Sequence, residues 1–288
     1  MKTVPDAFAR SLINAPRACL VAFAFVLVLM LLGTPAEAHE FWIEARDYTI
    51  APGEPVVADI KVGQELKGNT YAFNPRRHRR FGIVTESGET EVGSRIGDKP
   101  AVSQPVEEEG LAIVVHETTD TELTYKDRGT FETFVTYEGL DGALERHAER
   151  GLPDDGFKEL YSRAAKALVK VGEGGGTDRA LGLPIEVVVE GDPYASPLPE
   201  VLPVRVIYGG EPMAGAQLNV FHRPVDGDEG TLEPLRLDAE GRVEVPVAPD
   251  RVYLLNVVKL REPSAEKAGE TGAVWESLWG STTFSTGG

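Results

Sequence analysis

Five histidines hold most of the chemistry that this sequence offers, and one of them occupies a special position. Ala36, Glu37 and Ala38 form an A-x-A pattern typical of signal-peptide cleavage, and His39 follows directly. Cleavage there would make His39 the first residue of the mature chain. Its free α-amino group, with a pKa of about 7.7–8.0, and its ring nitrogen could then chelate one cation together. One further imidazole would complete a histidine brace.

The segment before His39 has the three parts of a secretory signal. Basic residues precede an apolar run over 19–32, which is shorter than the roughly 20 apolar residues of a membrane span. Gly33, Thr34 and Pro35 then interrupt this run. We therefore predict a signal peptide over residues 1–38, a periplasmic or secreted location, and no membrane span after cleavage. A retained anchor is the alternative, and it would block the amino group of His39.

The cysteine content and the net charge limit which binding sites and which partners the mature chain can have. The single cysteine, Cys19, lies inside the predicted signal, so disulfides and thiolate metal sites are excluded from the mature chain. A transition metal would have to use histidine, carboxylate, amine or backbone ligands. The net charge of −17 argues against nucleic acid as a partner and suits a protein that stays in solution outside the cytoplasm.

Alternating apolar and polar residues predict strands over most of the chain after the signal. In the first half, the predicted strands cover residues 41–43, 56–62, 80–84, 111–115 and 123–125. In the second half, they cover residues 185–190, 201–208, 216–223, 235–237, 242–247, 251–260 and 278–285. The fold class expected is mainly β, with two immunoglobulin-like or transthyretin-like β-sandwich domains and a short helical insertion in the first.

Helical spacing predicts two helices in the first domain, over residues 131–149 and over residues 157–171, with Asp154 as N-cap and Gly172 at the end of the second. The run of three glycines that follows predicts a flexible linker. The predicted organisation is listed here in chain order: signal peptide 1–38, N-terminal β-sandwich domain with helices 39–172, Gly-rich linker 173–182, and C-terminal β-sandwich domain 183–288.

Four stretches of the sequence resemble a known family. They are the mature start His39-Glu40-Phe41-Trp42-Ile43-Glu44, the segment Leu160–Val169, the segment Pro212-Met213-Ala214-Gly215-Ala216, and Trp275-Glu276-Ser277-Leu278-Trp279. Together they resemble the NikM-like family of secreted proteins. The resemblance implies β-sandwich domains and a role as the periplasmic component of nickel or cobalt uptake. Its most specific element is the His-Glu-Phe-Trp start.

The other four histidines are candidates for the second ligand. His116 ends an apolar strand and could project toward the first strand, so we expect it as a ligand, with a hydrogen-bonded strand-end histidine as the alternative. His78 has four arginines around it, which should repel a metal ion; its loop could instead recognise an anion or an acidic partner. His147 and His222 are expected at the surface.

Carboxylates near these histidines could add ligands or orient an imidazole, and Trp42 is expected in the core. The carboxylates are Glu40, Glu44, Asp59 and Glu117. The sequence has no H-E-x-x-H, P-loop, G-x-S-x-G or dinucleotide-binding motif, so hydrolase, nucleotide-dependent and dehydrogenase activities have no motif behind them. We therefore predict that the protein is not an enzyme.

The predicted function is extracytoplasmic metal handling. A divalent transition metal, Ni²⁺ or Co²⁺ with Cu²⁺ possible, would bind at His39 and His116 and be passed to a transporter or an outer-membrane receptor component. A second hypothesis is a non-catalytic secreted module that recognises a protein, a glycan or an outer-membrane receptor. A third is a histidine-brace copper oxidase. The sequence does not decide among these alternatives or choose the metal.

Overall fold

Strands dominate the computed structural model, which describes residues 39–286. The predicted signal peptide over residues 1–38 lies outside these residues. The mainly β fold built of β-sandwiches is confirmed, as is a helical insertion within the first part of the chain. None of the helices in residues 39–286 is long and apolar enough to cross a membrane.

The elements have the following bounds. Residues up to 171 form β1 Glu40–Ala45, β2 Thr49–Ile50, β3 Pro55–Gln64, β4 Lys67–Tyr71, β5 His78–Val84, β6 Glu89–Glu91, β7 Val102–Pro105, β8 Gly110–Thr118, β9 Thr121–Tyr125, α1 Arg128–Tyr137, α2 Ala143–Glu149 and β10 Phe157–Val171. Later residues form β11 Ile185–Val189, β12 Val201–Tyr208, β13 Glu211–Pro212, β14 Gln217–Pro224, β15 Thr231–Arg236, β16 Arg242–Pro246, β17 Arg251–Arg261, α3 Ala265–Thr271 and β18 Ala273–Ser285.

The described strands build three sheets. The N-terminal sheet has four strands in the order β1-β3-β4, with β7 also on β3. The central sheet has ten strands in the order β15-β14-β17-β18-β10-β8-β5-β6, with β2 and β9 also on β10. The C-terminal sheet has four strands in the order β11-β12-β13, with β16 also on β12.

The central sheet is the shared wall of two hydrophobic cores. On β8, Leu111, Ile113 and Val115 pack with the C-terminal sheet, whereas Ala112 and Val114 pack with the N-terminal sheet. Successive side chains of a strand point to opposite faces, so a strand between two sheets buries both sets. The molecule therefore consists of two sandwiches that share their middle layer.

The predicted helix over 157–171 is wrong, because these residues form β10, a long strand near the middle of the central sheet. One edge of β10 pairs in parallel with β18, and the other pairs antiparallel with β8 and β9. Because both faces are covered, apolar residues occur at odd and even positions, and this pattern matches a buried helix equally well. Gly172 still ends the element, with φ 64°.

The helix predicted over 131–149 is divided into α1 and α2. Asp127 is the N-cap of α1, because its Oδ1 accepts a hydrogen bond from Thr130 N at 2.9 Å. The two helices bury an apolar face that includes Phe131 and Phe134 against Trp275 and Trp279 of β18. The helical insertion thus covers one end of the central sheet.

The glycine-rich segment 173–182 is packed against the rest of the molecule, which differs from the flexible linker predicted for it. A Cβ built on Gly174 would lie 2.5 Å from Gly110 N, so only glycine fits this approach. Asp178 is 5% exposed and accepts two hydrogen bonds of 2.8 Å from Lys166 Nζ. The predicted domains 39–172 and 183–288 both supply strands to the central sheet, because β10 pairs with β18.

Candidate metal site

Strand β1 positions His39 at one rim of the N-terminal sheet. One edge of β1 pairs with β3, while carbonyl groups on the other edge accept hydrogen bonds from side chains of the central sheet. Ser281 Oγ donates to Phe41 O at 2.7 Å, and Arg163 Nη2 donates to His39 O at 3.3 Å. These contacts satisfy an edge that would otherwise be unpaired. They also hold the backbone of His39 in place.

His116 lies near the end of β8, where β1 and β5 approach it. Its side chain is only 3% exposed. Its ring centroid lies 5.2 Å from that of Phe41, 4.5 Å from that of Phe81, and 5.5 Å from that of His78. His39 directly precedes β1, two residues before Phe41, and its backbone carbonyl is held by Arg163.

Both predicted ligands have a ring nitrogen without a partner. The Nδ1 atoms of His39 and His116 are buried and make no hydrogen bond in the described part of the chain. Burial, together with a smaller effect of the nearby His78, lowers the pKa of His116 to about 3. His116 is therefore neutral across the physiological range, and neutral imidazole is the form that binds metal ions.

His78 belongs to this group, although the sequence favoured a solvated basic loop. Two of its four arginine neighbours are paired elsewhere: Arg79 lies 2.8 Å from Asp120, and Arg80 lies 2.7 Å from Glu89. Burial lowers the pKa of His78, and a hydrogen bond to the backbone of Asn74 opposes that shift. We use the name histidine cluster for His78 and His116, whose rings are adjacent, and for His39, which directly precedes β1.

The two remaining histidines lie elsewhere, and each has partners for both ring nitrogens. His147 is 3% exposed, so its predicted surface position is wrong; it accepts a hydrogen bond of 3.0 Å from Trp275 Nε1 and lies 3.0 Å from Pro153 O. It is buried because α2 packs onto β18. His222 lies between Arg251 and a glutamate of β15, with Nδ1 3.2 Å from the Arg251 guanidinium. Neither residue has a nitrogen left for a metal ion.

The carboxylates predicted as helpers are mostly held by arginines. Glu44 lies 2.6 Å from Arg223, and Asp59 lies 3.2 Å from Arg46. Glu117 lies 3.6 Å from an arginine of β5. Glu40 is buried and accepts a hydrogen bond from a tyrosine of α1. Trp42 is fully buried, as expected for a core residue.

Imidazole nitrogens are ligands that suit a borderline transition metal. Two imidazoles that share an ion through bonds of about 2.0–2.1 Å have ring centroids roughly 5 Å apart, close to the 5.5 Å between His78 and His116. Within residues 39–286, no group of three or more His, Cys, Asp or Glu side chains has metal-binding geometry. The α-amino nitrogen of a processed His39 is the additional donor that these residues would need.

Arg163 is a member of the site that the sequence did not reveal. Its guanidinium lies 4.5 Å from the ring centroid of Tyr161 and 5.7 Å from that of Phe41, and its Nε has no hydrogen-bond partner. Burial lowers the pKa of Arg163. The segment was predicted as a helix, so no local signal placed this residue beside His39.

The fold and the site define a mainly β protein of two sandwiches with buried, unpartnered imidazoles at one rim. The chain belongs to the family of the domain of unknown function DUF4198, whose profile matches residues 36–259. A comparison with curated proteins finds no match.

Among solved structures, the chain is similar to alpha-2-macroglobulins. A point mutant from Salmonella has 14% identity and a TM-score of 0.21, covering 87% of this chain and 15% of that one. The E. coli protein in its native conformation has 12% identity and a TM-score of 0.22, covering 88% of this chain and 14% of that one. The chain thus spans about a seventh of these proteins, and likeness at this level carries no argument about function.

Proposed function

We propose that this protein is a non-enzymatic, extracytoplasmic metal-handling protein that binds Ni²⁺ or Co²⁺, with Cu²⁺ as a competitor, at its processed N-terminus. The α-amino group and ring of His39 form the chelate, and His116 supplies the second imidazole. The observation that carries the proposal is the pair of buried Nδ1 atoms without hydrogen-bond partners. A buried polar atom without a partner is costly, and a metal ion would satisfy both of these atoms.

The surroundings of the histidine cluster support the same function. His116 is neutral because burial lowers its pKa to about 3, so a metal ion would not compete with a proton there. Arg163 holds the backbone of His39, and a fixed first residue loses less conformational freedom on binding. The resemblance to the NikM-like family supports nickel or cobalt as the cargo and a transporter component as its recipient.

The decisive experiment is calorimetric titration of Ni²⁺, Co²⁺ and Cu²⁺ into protein whose start at His39 has been verified by mass spectrometry. A matched variant carries one additional residue before His39, which moves the free amine away without altering any side chain. We expect one-to-one binding to the processed protein and a loss of at least about 100-fold in affinity for the extended variant, which corresponds to about 2.7 kcal/mol.

A His39→Ala variant and Cu²⁺ electron paramagnetic resonance complete the test. His39→Ala keeps a free amine but removes one imidazole, so it should bind more weakly and show fewer nitrogen couplings to copper. His222→Ala is the control, because both of its ring nitrogens already have partners. Equal affinity of the processed and extended proteins would contradict the terminal chelate. Retained binding in His39→Ala would move the site to His78 and His116.

A further inference from the structure

A second group of buried polar side chains lies where α1 meets the central sheet. Glu40, Glu138 and Asn256 are 0%, 2% and 1% exposed. Asn256 Nδ2 and Asn219 Nδ2 donate to Glu138 Oε2 at 3.3 and 3.0 Å, while Tyr137 Oη donates to Glu40 Oε1 at 3.2 Å. We call Glu40, Glu138 and Asn256 the carboxyl cluster; its members come from β1, the residue after α1, and β17.

Three oxygen atoms of this cluster have no hydrogen-bond partner. They are Glu40 Oε2, Glu138 Oε1 and Asn256 Oδ1. No lysine, arginine or histidine in the described residues forms an ion pair with Glu40 or Glu138. Buried carboxylates without a cation or enough donors are strongly unfavourable. The cluster therefore requires either protons or a cation to balance its charge.

The end of α1 adds further negative potential to this cluster. Glu138 is the C-cap residue of α1, where the helix dipole is negative, and the last turn contains no basic residue. A cation is stabilised at such an end.

A cleft of about 160 Å³ gives access to Glu138, and Gln217 also lines it. Three basic residues line this cleft, and each has a contact outside the carboxyl cluster: Lys259 Nζ lies 5.4 Å from the ring centroid of Tyr208. Arg236 lies 2.9 Å from Asp141, and Arg146 donates to the carbonyl of Asp141 at 3.3 Å. The rim thus leaves Glu138 without a cationic partner while opening a route from solvent.

We propose that Glu40 Oε2, Glu138 Oε1 and Asn256 Oδ1 bind a hard divalent cation, with Ca²⁺ as the best match. Ca²⁺ takes carboxylate and amide oxygens in irregular geometry, whereas Mg²⁺ demands a near-ideal octahedron. The ion would join β1, α1 and the central sheet. This site is separate from the histidine cluster, because its donors are all oxygen atoms and do not include the amino group of His39.

The test is thermal unfolding of chelator-treated protein with Ca²⁺, Mn²⁺ or Mg²⁺, together with Mn²⁺ electron paramagnetic resonance. At a hundredfold excess over the dissociation constant, we expect Ca²⁺ to raise the melting temperature of the wild type by roughly 5–10 °C. Glu138→Gln keeps the acceptor for both asparagine amides but removes the charge, so this shift should be lost. Glu211→Gln is the control, because Glu211 is exposed and forms no ion pair in the described residues.

The outcomes of these measurements decide whether the carboxyl cluster binds a cation. No shift of the wild type with any of the three cations, or an equal shift in Glu138→Gln, would overturn it and leave a protonated carboxyl pair. If Glu138→Gln fails to fold, Asn256→Asp takes its place: this variant should melt lower than the wild type without Ca²⁺ and recover with it. A Ca²⁺ response that survives His39→Ala separates this site from the proposed transition-metal site, so each proposal can fail alone.

Discussion

Two buried polar regions of the molecule differ in whether their groups are satisfied. Lys166, Asp178 and Glu186 form an ion cluster in which Asp178 accepts two hydrogen bonds from Lys166 and another of 3.0 Å from Val189 N. Glu186 lies 3.5 Å from Lys166 and accepts a hydrogen bond of 2.6 Å from Leu181 N. The histidine cluster, in contrast, keeps imidazole nitrogens without partners.

This difference separates a structural role from a binding role. A satisfied ion cluster holds the glycine-rich segment against the central sheet and gains nothing from a ligand. Unpartnered ring nitrogens in an otherwise packed strand-end site are groups that a ligand would stabilise. The comparison predicts that changes in the ion cluster affect folding, whereas changes in the histidine cluster affect metal binding.

The largest expected effect is on stability, in the ion cluster. Asp178→Ala leaves Lys166 buried without its main partner, and removal of one member of a buried pair costs about 3–5 kcal/mol. Urea denaturation measures the loss. Glu86→Gln is the control, since Glu86 is largely exposed beside Arg179 and should change stability by less than about 0.5 kcal/mol. If Asp178→Ala and Glu86→Gln lost similar amounts of stability, the ion cluster would not have the structural role that the comparison gives it.

The next effect is on metal affinity, in the histidine cluster. His116→Phe retains an aromatic ring against Phe41 and Phe81 but removes both nitrogens. We expect Ni²⁺ binding to weaken by about 100-fold, or about 2.7 kcal/mol, in calorimetric titration. Circular dichroism checks that the fold is kept. Unchanged affinity in a folded variant would exclude His116 as a ligand.

His147 offers a matched test, because it is buried like His116 but satisfied. His147→Phe leaves the indole N–H of Trp275 without its acceptor, which should cost about 1–3 kcal/mol of stability. Ni²⁺ affinity should not change. A Trp275→Phe change in the same chain removes the stranded donor, so the double variant should lose less than the two single losses combined. A lower Ni²⁺ affinity of His147→Phe would contradict the view that only histidines without hydrogen-bond partners bind the metal ion.

The last predicted effect, small for each step in pH, is a pH dependence of stability caused by His116. Its pKa is about 3 in the folded protein and about 6.5 when unfolded, so the unfolded chain binds the proton first as pH falls. The stability that His116 contributes is therefore present above pH 6.5 and is lost toward pH 3, by about 1.4 kcal/mol per pH unit.

Urea denaturation of the wild type and His116→Phe between pH 4.5 and 8 measures this slope as a difference. Glu40 and Glu159 act in the opposite direction, since burial raises the pKa of each to about 7, but they are present in both proteins and cancel. Parallel profiles of the two proteins would show that burial does not hold His116 neutral.

Much of the fold could be predicted from the sequence, because most strands have one face toward a core and turn residues between them. The strands around residues 56–62 and 201–208 follow this rule. β10 does not, because it is covered on both faces, and its alanines and leucines favour helix in isolation. In β10, packing between two sheets overrides the local preference for helix. No residue near β10 in the sequence indicates that these two sheets flank it.

The site could be predicted only in part. His39 was predicted as a metal ligand because it follows the A-x-A pattern, and His116 because it ends an apolar strand. His78 was set aside because of its four arginine neighbours, two of which are paired with Glu89 and Asp120, residues distant in sequence from them. Charge repulsion inferred from neighbours alone fails when a fold brings counter-charges to them. The same limit concealed Arg163, which approaches His39 only through the pairing of sheets.

The position of β18 has a consequence for how the chain acquires its fold. β18 lies between β17 and β10, and its parallel pairing with β10 joins Lys158 to Ala273 and Ala167 to Thr283. Such long-range parallel contacts form slowly, since the intervening chain must be ordered first. β18 is also synthesised after every other strand that the structure describes. The core beside the C-terminal sheet, to which Leu278 and Phe284 belong, therefore stays open, with its apolar faces available to chaperones, until residues 273–285 have been made and inserted.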